Sequence, residues 1–272
     1  MSMKRSLVYL VLLVFAGLSL YPAVWMGLTS LRTNRELFAA PWGLPERLLW
    51  GNYVRIFHQS PILRYFLNSV VVSSISTFLI LIVSSMLAYP LARFKFRGRN
   101  FLFYLIIAGL ALPAHISLIP ILVLLKGTHL NDTYLALIGP YVGFGLPFSV
   151  LVIRSFFLTI PRDFEDAAKL DGCSAHGIFW KILLPMIKPA LAVVVIFNFM
   201  TNWNEFLFAL TFIQRRQLKT LPVGLMDLAG EFATDWVGVS AGFTIATIPV
   251  IVIYCIFQKD LLRAVRFGAI KG

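Results

Sequence analysis

The sequence predicts an all-α integral membrane protein with six transmembrane helices and both termini in the cytoplasm. Its mean hydropathy is +0.83, and 59% of its 272 residues are hydrophobic whereas 13% are charged. A soluble domain of this size has too little polar surface to cover so much apolar material. The apolar residues come in long runs and the basic residues lie mainly between alternate runs, which together predict the number and the orientation of the helices.

Six segments are long enough to cross a bilayer, which takes roughly 20 helical residues for about 30 Å of hydrocarbon. The first follows Lys4 and Arg5 but exceeds the roughly 7 to 15 apolar residues of a secretory signal core, so we expect a retained anchor. The fifth is interrupted by one acidic residue, Glu205. All six are expected to form a single transmembrane domain over residues 1–272, with spans at about 7–30, 65–91, 101–125, 133–157, 189–213 and 236–258.

The positions of the basic residues orient the spans and account for the formal charge of +12. With a cytoplasmic N-terminus, 15 of the 24 Lys and Arg residues lie in cytoplasmic segments and 9 lie outside, as the positive-inside rule requires. Such a distribution indicates membrane topology and not a nucleic-acid partner. The four histidines and two cysteines show no metal-ligand spacing and no disulfide framework.

The third and fourth spans contain helix-breaking residues. Pro113 and Pro120 interrupt the third span, and Pro140 and Pro147 lie in the fourth together with several glycines. A proline removes a backbone hydrogen bond, which in hydrocarbon must be replaced by neighbouring helices, side chains or water. Two interpretations stay open, namely kinked packing within a bundle and a flexible lining of a translocation path.

The fifth span carries polar residues at positions i, i+3, i+4 and i+7. This spacing places on one helical face Asn198, Thr201, Asn202 and Glu205. Such a face is costly in lipid, at about 2.5 to 3.5 kcal/mol for a central acid, and should turn toward the bundle interior. It either lines a substrate path or forms hydrogen bonds between helices.

The cytoplasmic loop at residues 159–187 has the pattern of two short soluble helices. Acidic residues after Pro161 suit the first turn of a helix, and Gly172 suits its left-handed C-terminal cap. Ser174 is a candidate N-cap for a second helix, which Pro185 is expected to end. Helices of about ten residues are marginal alone in water, so we expect the alanine pair at 167–168 to dock against another protein.

Residues 165–185, EDAAKLDGCSAHGIFWKILLP, resemble the cytoplasmic signature of the membrane-spanning permease subunits of binding-protein-dependent ABC importers. That signature runs E-A-A, three residues, G, nine residues and I-x-L-P. This sequence matches its spacing throughout and has Asp166 in place of the usual Glu. NWNEFLFAL at 202–210 and FGAIKG at 267–272 are similar to the carbohydrate-importing branch, and within it to the shorter, six-span partner of the maltose-type pair.

The resemblance implies a permease that moves a carbohydrate, a di- or oligosaccharide, across the inner membrane of a prokaryote. An extracytoplasmic solute-binding protein would deliver the sugar, a second and different permease chain would complete the path, and two ATPase subunits would hold ATP and Mg²⁺. No cofactor is expected on this chain. The loop that contacts the ATPase would comprise Phe164, Glu165, Asp166, Ala167, Ala168, Asp171, Gly172, Ile182, Leu184 and Pro185.

Two further segments have expected roles, and two alternatives stay open. The tail at 259–272 is expected along the ATPase pair, and the outer loop at 214–235 is expected to reach the binding protein. The sequence has no G-x-x-x-x-G-K-[ST] phosphate loop, so we expect no enzyme activity from this chain alone. The alternatives are an ABC permease for a non-sugar solute and a secondary transporter, a class that commonly has internal repeats and buried ionisable residues.

Overall fold

The computed structural model describes residues 2–229 and 234–269, with side chains from 6 to 228 and from 234 to 264. The described residues form helices, turns and loops, with no strand among them. The α-helices are α1 (Ser2–Thr29), α2 (Asn34–Ala39), α3 (Gly51–Gln59), α4 (Ile62–Arg93), α5 (Arg99–Ala108), α6 (Leu118–Gly127), α7 (Leu135–Phe157), α8 (Asp163–Leu170), α9 (Ala175–Gly177), α10 (Leu184–Met186), α11 (Lys188–Trp203), α12 (Leu207–Phe212), α13 (Leu221–Ala229) and α14 (Trp236–Ala269).

Four described helices are long and apolar enough to cross a membrane: α1, α4, α7 and α14. Two further candidates are bent pairs, one of them Arg99–Ala111 with Ala114–Gly127 at 90° and the other Ala175–Met186 with Lys188–Trp203 at 75°. If each bent pair counts as one span, up to six spans result. The chain is therefore a helical integral membrane protein.

The break in the first bent pair has a local cause. Leu112 precedes Pro113 and is extended, with φ −83° and ψ 112°. A proline ring clashes with a helical conformation of the residue before it, so the helix stops there. Pro120 lies in the first turn of α6 and Pro140 and Pro147 lie inside α7, where the helix continues through both. The third span is thus broken at one proline, whereas the fourth tolerates two.

The fifth predicted span differs from the sequence-based expectation. We expected one helix from about 189 to 213, but α11 ends at Trp203 and α12 begins at Leu207. The second helical segment ends one residue beyond the expected stop at Pro185: a π-helical segment, Ile178–Leu183, leads directly into α10, and the chain bends at Ile187. Pro185 cannot close an α-helical bond to Lys181, since it has no N–H, and the wider turn lies just before it.

Contacts divide the described residues into two compact units. The first lies within Met1–Phe66 and Leu221–Pro249. In it, a capping box begins α2, where Thr33 Oγ1 accepts from the Glu36 backbone at 3.1 Å. The Asp235 carboxylate pairs with Arg55 at 2.8 Å and accepts from Asn34 at 2.9 Å. Side-chain bonds to charged groups therefore hold the loop segments of this unit.

The second unit lies within Leu67–Thr220 and Val250–Gly272. Its buried core joins helices that cross the membrane to the predicted cytoplasmic loop. Residues from both parts share one cluster, among them Ile80, Ala88, Val150, Phe157, Ala168, Phe179, Leu183 and Val194. The loop is therefore packed onto the helix ends of its own chain and is not a separate soluble module.

Candidate functional site

The surface helix α8 ends in a Schellman motif at Gly172. The Gly172 backbone N–H donates to Lys169 O at 3.0 Å, and the Cys173 N–H donates to Ala168 O at 2.9 Å. Gly172 has φ +78°, a left-handed conformation that costs residues with a Cβ roughly 1–2 kcal/mol. The predicted C-terminal cap is confirmed. It explains physically why a glycine must stand four residues after the second alanine.

The second helical segment begins as predicted. The Ser174 side chain accepts from the Gly177 backbone N–H at 3.2 Å, which makes Ser174 the N-cap. Of the signature residues that follow, Ile182 and Leu184 pack against the core cluster and Pro185 is exposed. The two helical segments are therefore joined by a glycine cap and a serine cap that lie two residues apart.

The helix α8 has an inner and an outer face, and they split the alanine pair. Ala168 and Glu165 are buried against the chain, whereas Ala167 is exposed. Phe164 is 48% exposed and Leu170 is 90% exposed. The expectation that both alanines form one docking face is wrong, because Ala168 packs into the core cluster of its own chain, and Ala167, about 100° further around the helix, does not. The outer face instead consists of Phe164, Ala167 and Leu170.

Charged side chains line the outer edge of α8. Lys169 Nζ lies 2.9 Å from Asp166 Oδ1, and both side chains are more than 60% exposed. The hydrogen bond and the charge of Lys169 lower the pKa of the Asp166 carboxyl. The signature acid is therefore ionised and accessible to a partner.

The inner face of α8 is tied to the end of α4. Arg93 Nε lies 2.7 Å from Glu165 Oε1, and Arg93 Nη2 donates to the Ile160 carbonyl at 2.9 Å. Tyr89, one turn before Arg93, packs its ring against Phe179 at a centroid distance of 5.2 Å. The short basic segment that begins at Arg93 therefore meets the loop at 159–187.

A second set of polar side chains lies within the bundle on α11. Asn198 and Asn202 are buried. Asn198 Nδ2 donates to Ser149 Oγ at 2.9 Å and to the Val194 carbonyl at 2.8 Å. Thr201 is exposed and donates to the carbonyl one turn before it. The two asparagines of the predicted polar face are thus buried, whereas Thr201 is exposed, and all three side chains have hydrogen-bond partners within the chain.

Glu205 lies outside the helix that the sequence analysis assigned to it. It follows the end of α11, and its carboxylate accepts from the backbone N–H groups of Phe208 and Ala209, at 2.8 Å and 3.1 Å. Tyr141 of α7 donates a further hydrogen bond at 2.7 Å. The carboxylate therefore caps α12 and satisfies the backbone groups that the break exposes.

All four predicted path residues line one cavity of about 200 Å³. The other side chains around it are mainly aromatic, among them Tyr141, Phe144, Phe197 and Phe208, together with His115. Gly145 of α7 also lines it, and a Cβ there would meet Ile80 and the Asn198 amide oxygen. Amide groups beside aromatic rings suit a hydroxylated ligand, because they supply both polar and apolar contacts.

Sequence reasoning missed several residues of both regions. Leu170, Arg93, Tyr141 and Ser149 were not singled out. Only Leu170 carried a local signal. It stands at the end of a charged helix, where a buried side chain is not expected. The other three lie on segments far from their partners in sequence, so periodicity could not reveal them.

The expectations for the outer loop at 214–235 and for the tail at 259–272 fall partly outside the described residues. Residues 230–233 of the outer loop and 270–272 of the tail are not described. The tail otherwise continues α14 to Ala269, and Asp260 within it contacts Lys188 at 3.6 Å. The outer loop contains a 3-10 turn, Arg216–Leu218, and α13. No group of three or more His, Cys, Asp or Glu suited to a metal occurs among the described residues.

Residues 80–267 match the family described as "Binding-protein-dependent transport system inner membrane component". The chain is 36% identical over 255 residues to the sulfoquinovosyl glycerol transport system permease protein SmoH of Agrobacterium fabrum, covering 93% of this chain and 89% of that protein. It is 33% identical over 275 residues to the arabinooligosaccharides transport system permease protein AraQ of Bacillus subtilis, covering 100% and 97%.

The fold is similar to that of a solved transporter chain. A chain from the crystal structure of a bacterial ABC transporter involved in the import of the acidic polysaccharide alginate superposes with a TM-score of 0.80. It is 25% identical, and the match covers 95% of this chain and 97% of that one.

Proposed function

Because the chain belongs to the family of binding-protein-dependent transport system inner membrane components, we propose that it is the permease subunit of an ABC importer for a di- or oligosaccharide. Its partners are an extracytoplasmic binding protein, a second and different permease chain, and two ATPase subunits that hold ATP and Mg²⁺. It lies in the cytoplasmic membrane of a prokaryote and is not an enzyme alone. The substrates named for SmoH, AraQ and the alginate transporter support a carbohydrate.

We propose one transmembrane domain of six spans with both termini in the cytoplasm, each bent pair counting as one span. Two contacts support this topology, because each joins loops for which the basic residues predict the same side. Arg93 meets Glu165 between two predicted inner segments, and Arg215 Nε lies 2.7 Å from Asp132 Oδ2 between two predicted outer segments. An odd number of spans between the two loops of either pair would place them on opposite sides of the membrane.

The feature that most directly supports binding of the ATPase by the loop at 159–187 is the outer face of α8. Phe164 and Leu170 are 48% and 90% exposed although both are large and apolar, and Ala167 between them leaves room for a close approach. The exposed pair of Asp166 and Lys169 adds a polar rim. An apolar centre with a charged edge is the composition of a protein-binding surface. This face binds the ATPase subunit, and the inner face transmits its movement to the bundle.

The cavity on α11 contributes to the path of the sugar. Asn198, Asn202 and Glu205 have their polar atoms partly engaged within the chain, so their arrangement is fixed before a ligand arrives. Preorganised polar groups lose little entropy on binding. The aromatic rings around them offer apolar faces for the carbon-bound hydrogens of a sugar ring.

The first experiment is the purification of the tagged chain from its native membrane in mild detergent, followed by mass spectrometry of bound proteins. An ATPase and a second permease are expected. Gly172→Pro removes the N–H that donates to Lys169 O and forbids the left-handed conformation, so the ATPase should be lost while the second permease stays. Absence of any ATPase under conditions that preserve other membrane complexes would contradict the importer.

The second experiment measures uptake by the reassembled importer. Asn198→Ala, Asn202→Ala and Glu205→Ala should each reduce the uptake of a labelled oligosaccharide more than they reduce assembly. Thr211→Ala is a matched control, because Thr211 also bonds a carbonyl of its own helix but does not line the cavity. Normal uptake in all three variants would remove the cavity from the path. Uptake of a non-sugar solute alone would redirect the substrate assignment.

A further inference from the structure

An ion pair links α8 to the end of the membrane helix α4, and both of its side chains are buried. The Arg93 and Glu165 side chains are only 5% and 10% exposed, and their charged atoms lie 2.7 Å apart. By contrast, the cations of the Lys169–Asp166 and Arg263–Asp260 pairs are 61% and 64% exposed. Both charges of the Arg93–Glu165 pair are therefore shielded from water and salt, whereas the cations of the other two pairs are not.

Arg93 holds the chain just before α8 as well as α8 itself. Its Nη2 donates to the Ile160 carbonyl at 2.9 Å, and its own carbonyl receives a long hydrogen bond of 3.5 Å from Arg162 Nη2. Because Ile160 and Arg162 directly precede α8, these two hydrogen bonds hold the entry of α8 at the last residue of α4. The contact with Glu165 in the first turn of α8 is a pairing of charges, since Arg93 Nε and Glu165 Oε1 are close but not aligned as a hydrogen bond.

The neighbouring apolar contacts alone would not fix this geometry. Ala168 presents a single methyl group on the inner face of α8, and such a surface can slide over its neighbours. A buried ion pair adds little net stability relative to apolar groups of the same size, because desolvation offsets the attraction. Separating the two charges is costly, however, since it leaves an uncompensated buried charge.

We propose that the Arg93–Glu165 pair is the joint through which α8 moves α4 when the ATPase subunits close. This inference rests on the proposed function, because it requires α8 to be bound by an ATPase. Arg93 and Glu165 are positioning residues and touch neither nucleotide nor sugar. When α8 is displaced, the ion pair keeps the end of α4 with it, and the displacement enters the bundle along α4.

The test measures the distance between α8 and α4 in the complete importer. One spin label is attached to the exposed native Cys173, the other to a cysteine at exposed position 86 of α4, and Cys255 is replaced by Ala. Pulsed electron paramagnetic resonance measures the distance between the two labels without nucleotide and after trapping with ATP and orthovanadate. In the otherwise native complex the distance should be the same in both states, because α4 follows α8.

Glu165→Gln should let the two helices separate on trapping. The neutral amide keeps the shape but not the charge, and the distance should change by roughly 1–2 Å or more, the scale of helix shifts in switching proteins. Arg93→Glu should do the same, and the exchange Arg93→Glu with Glu165→Arg should restore a constant distance. Lys188→Gln is the control, because it removes from another ion pair a cation that is itself 67% exposed.

Two results would overturn the joint. The first is a distance that changes on trapping in the native pair, and the second is a constant distance in Glu165→Gln. If the importer with Arg93→Glu fails to assemble, the distance change in Glu165→Gln still tests the proposal. If no ATPase accompanies the unsubstituted chain, the proposed function itself fails, and that result is seen in the purification before any distance is measured.

Discussion

The left-handed conformation of Gly172 makes the ATPase-contacting loop at 159–187 sensitive to a single methyl group. At this position φ is +78°, and a Cβ would have no heavy atom within 4 Å. The effect of Gly172→Ala is therefore free of steric clash and comes from the backbone alone. Such a substitution isolates the importance of the helix cap for ATPase binding.

The cost of the left-handed conformation for alanine is roughly 1–2 kcal/mol. That cost lowers the population of the capped helix end by a factor of about 5 to 30. If the ATPase binds only the capped form, its apparent affinity falls by the same factor. Gly172→Asn should cost less, since asparagine visits this conformation more readily. Gly172→Pro should cost more than Gly172→Ala, because proline cannot adopt the left-handed conformation and the hydrogen bond is lost as well.

The assay is the amount of ATPase retained per permease chain in a pull-down at graded ATPase concentrations. Retention should be highest for the unsubstituted chain and should fall through Gly172→Asn and Gly172→Ala to Gly172→Pro. Gly177→Ala is the matched control in the same loop, because Gly177 has a helical φ of −63° and its Cβ would make an ordinary contact at 3.5 Å. Equal retention by the unsubstituted chain and the Gly172→Ala variant would show that the cap is not required for docking.

Three further predictions concern the bundle and the outer loops. Gly145→Ala should destabilise the chain by about 1–3 kcal/mol, because its Cβ overlaps side chains of α4 and α11. Gly143→Ala, with nothing within 4 Å, should leave the detergent melting temperature unchanged or slightly raised, because alanine is the better helix former. Tyr141→Phe should cost about 1.5–3 kcal/mol in the same melt, since it removes a hydrogen bond to a carboxylate; an unchanged melt would contradict the capping role. Burial acts to raise the pKa of Asp132, but the hydrogen bonds and charge of Arg215 outweigh it and lower that pKa. The stabilisation by Asp132 is therefore complete above its unfolded pKa of about 3.9 and is lost as the pH falls through the lower folded pKa. Melting between about pH 7 and pH 3 should show this loss, and Asp132→Asn should lack it.

Features that depend on local backbone geometry were predictable from the sequence. The Gly172 cap and the Ser174 cap follow from neighbours within five residues, and both are confirmed. The apolar runs predicted the long helices α1, α4, α7 and α14. Most of the predicted ends lie within a few residues of the observed ends, but α14 extends well beyond residue 258. The break before Pro113 follows from a clash between adjacent residues.

Features that depend on distant segments were not predictable from periodicity. The spacing of polar residues predicted that Glu205 lies on a polar face of the fifth span. Its carboxylate instead accepts a hydrogen bond from Tyr141, 64 residues away in sequence, and caps α12. The same holds for the alanine pair, since whether a face is inner or outer depends on what packs beside it.

The sequence by itself determined that this chain is a helical membrane protein with a permease signature, because hydrophobic run length and motif spacing are properties of consecutive residues. Only the tertiary structure decided which side of α8 is open for a partner and which polar residues share the cavity on α11. It also brought Arg93 to Glu165. These outcomes depend on the packing of helices that are far apart in the chain, where desolvation of each polar group must be matched by a partner from another segment.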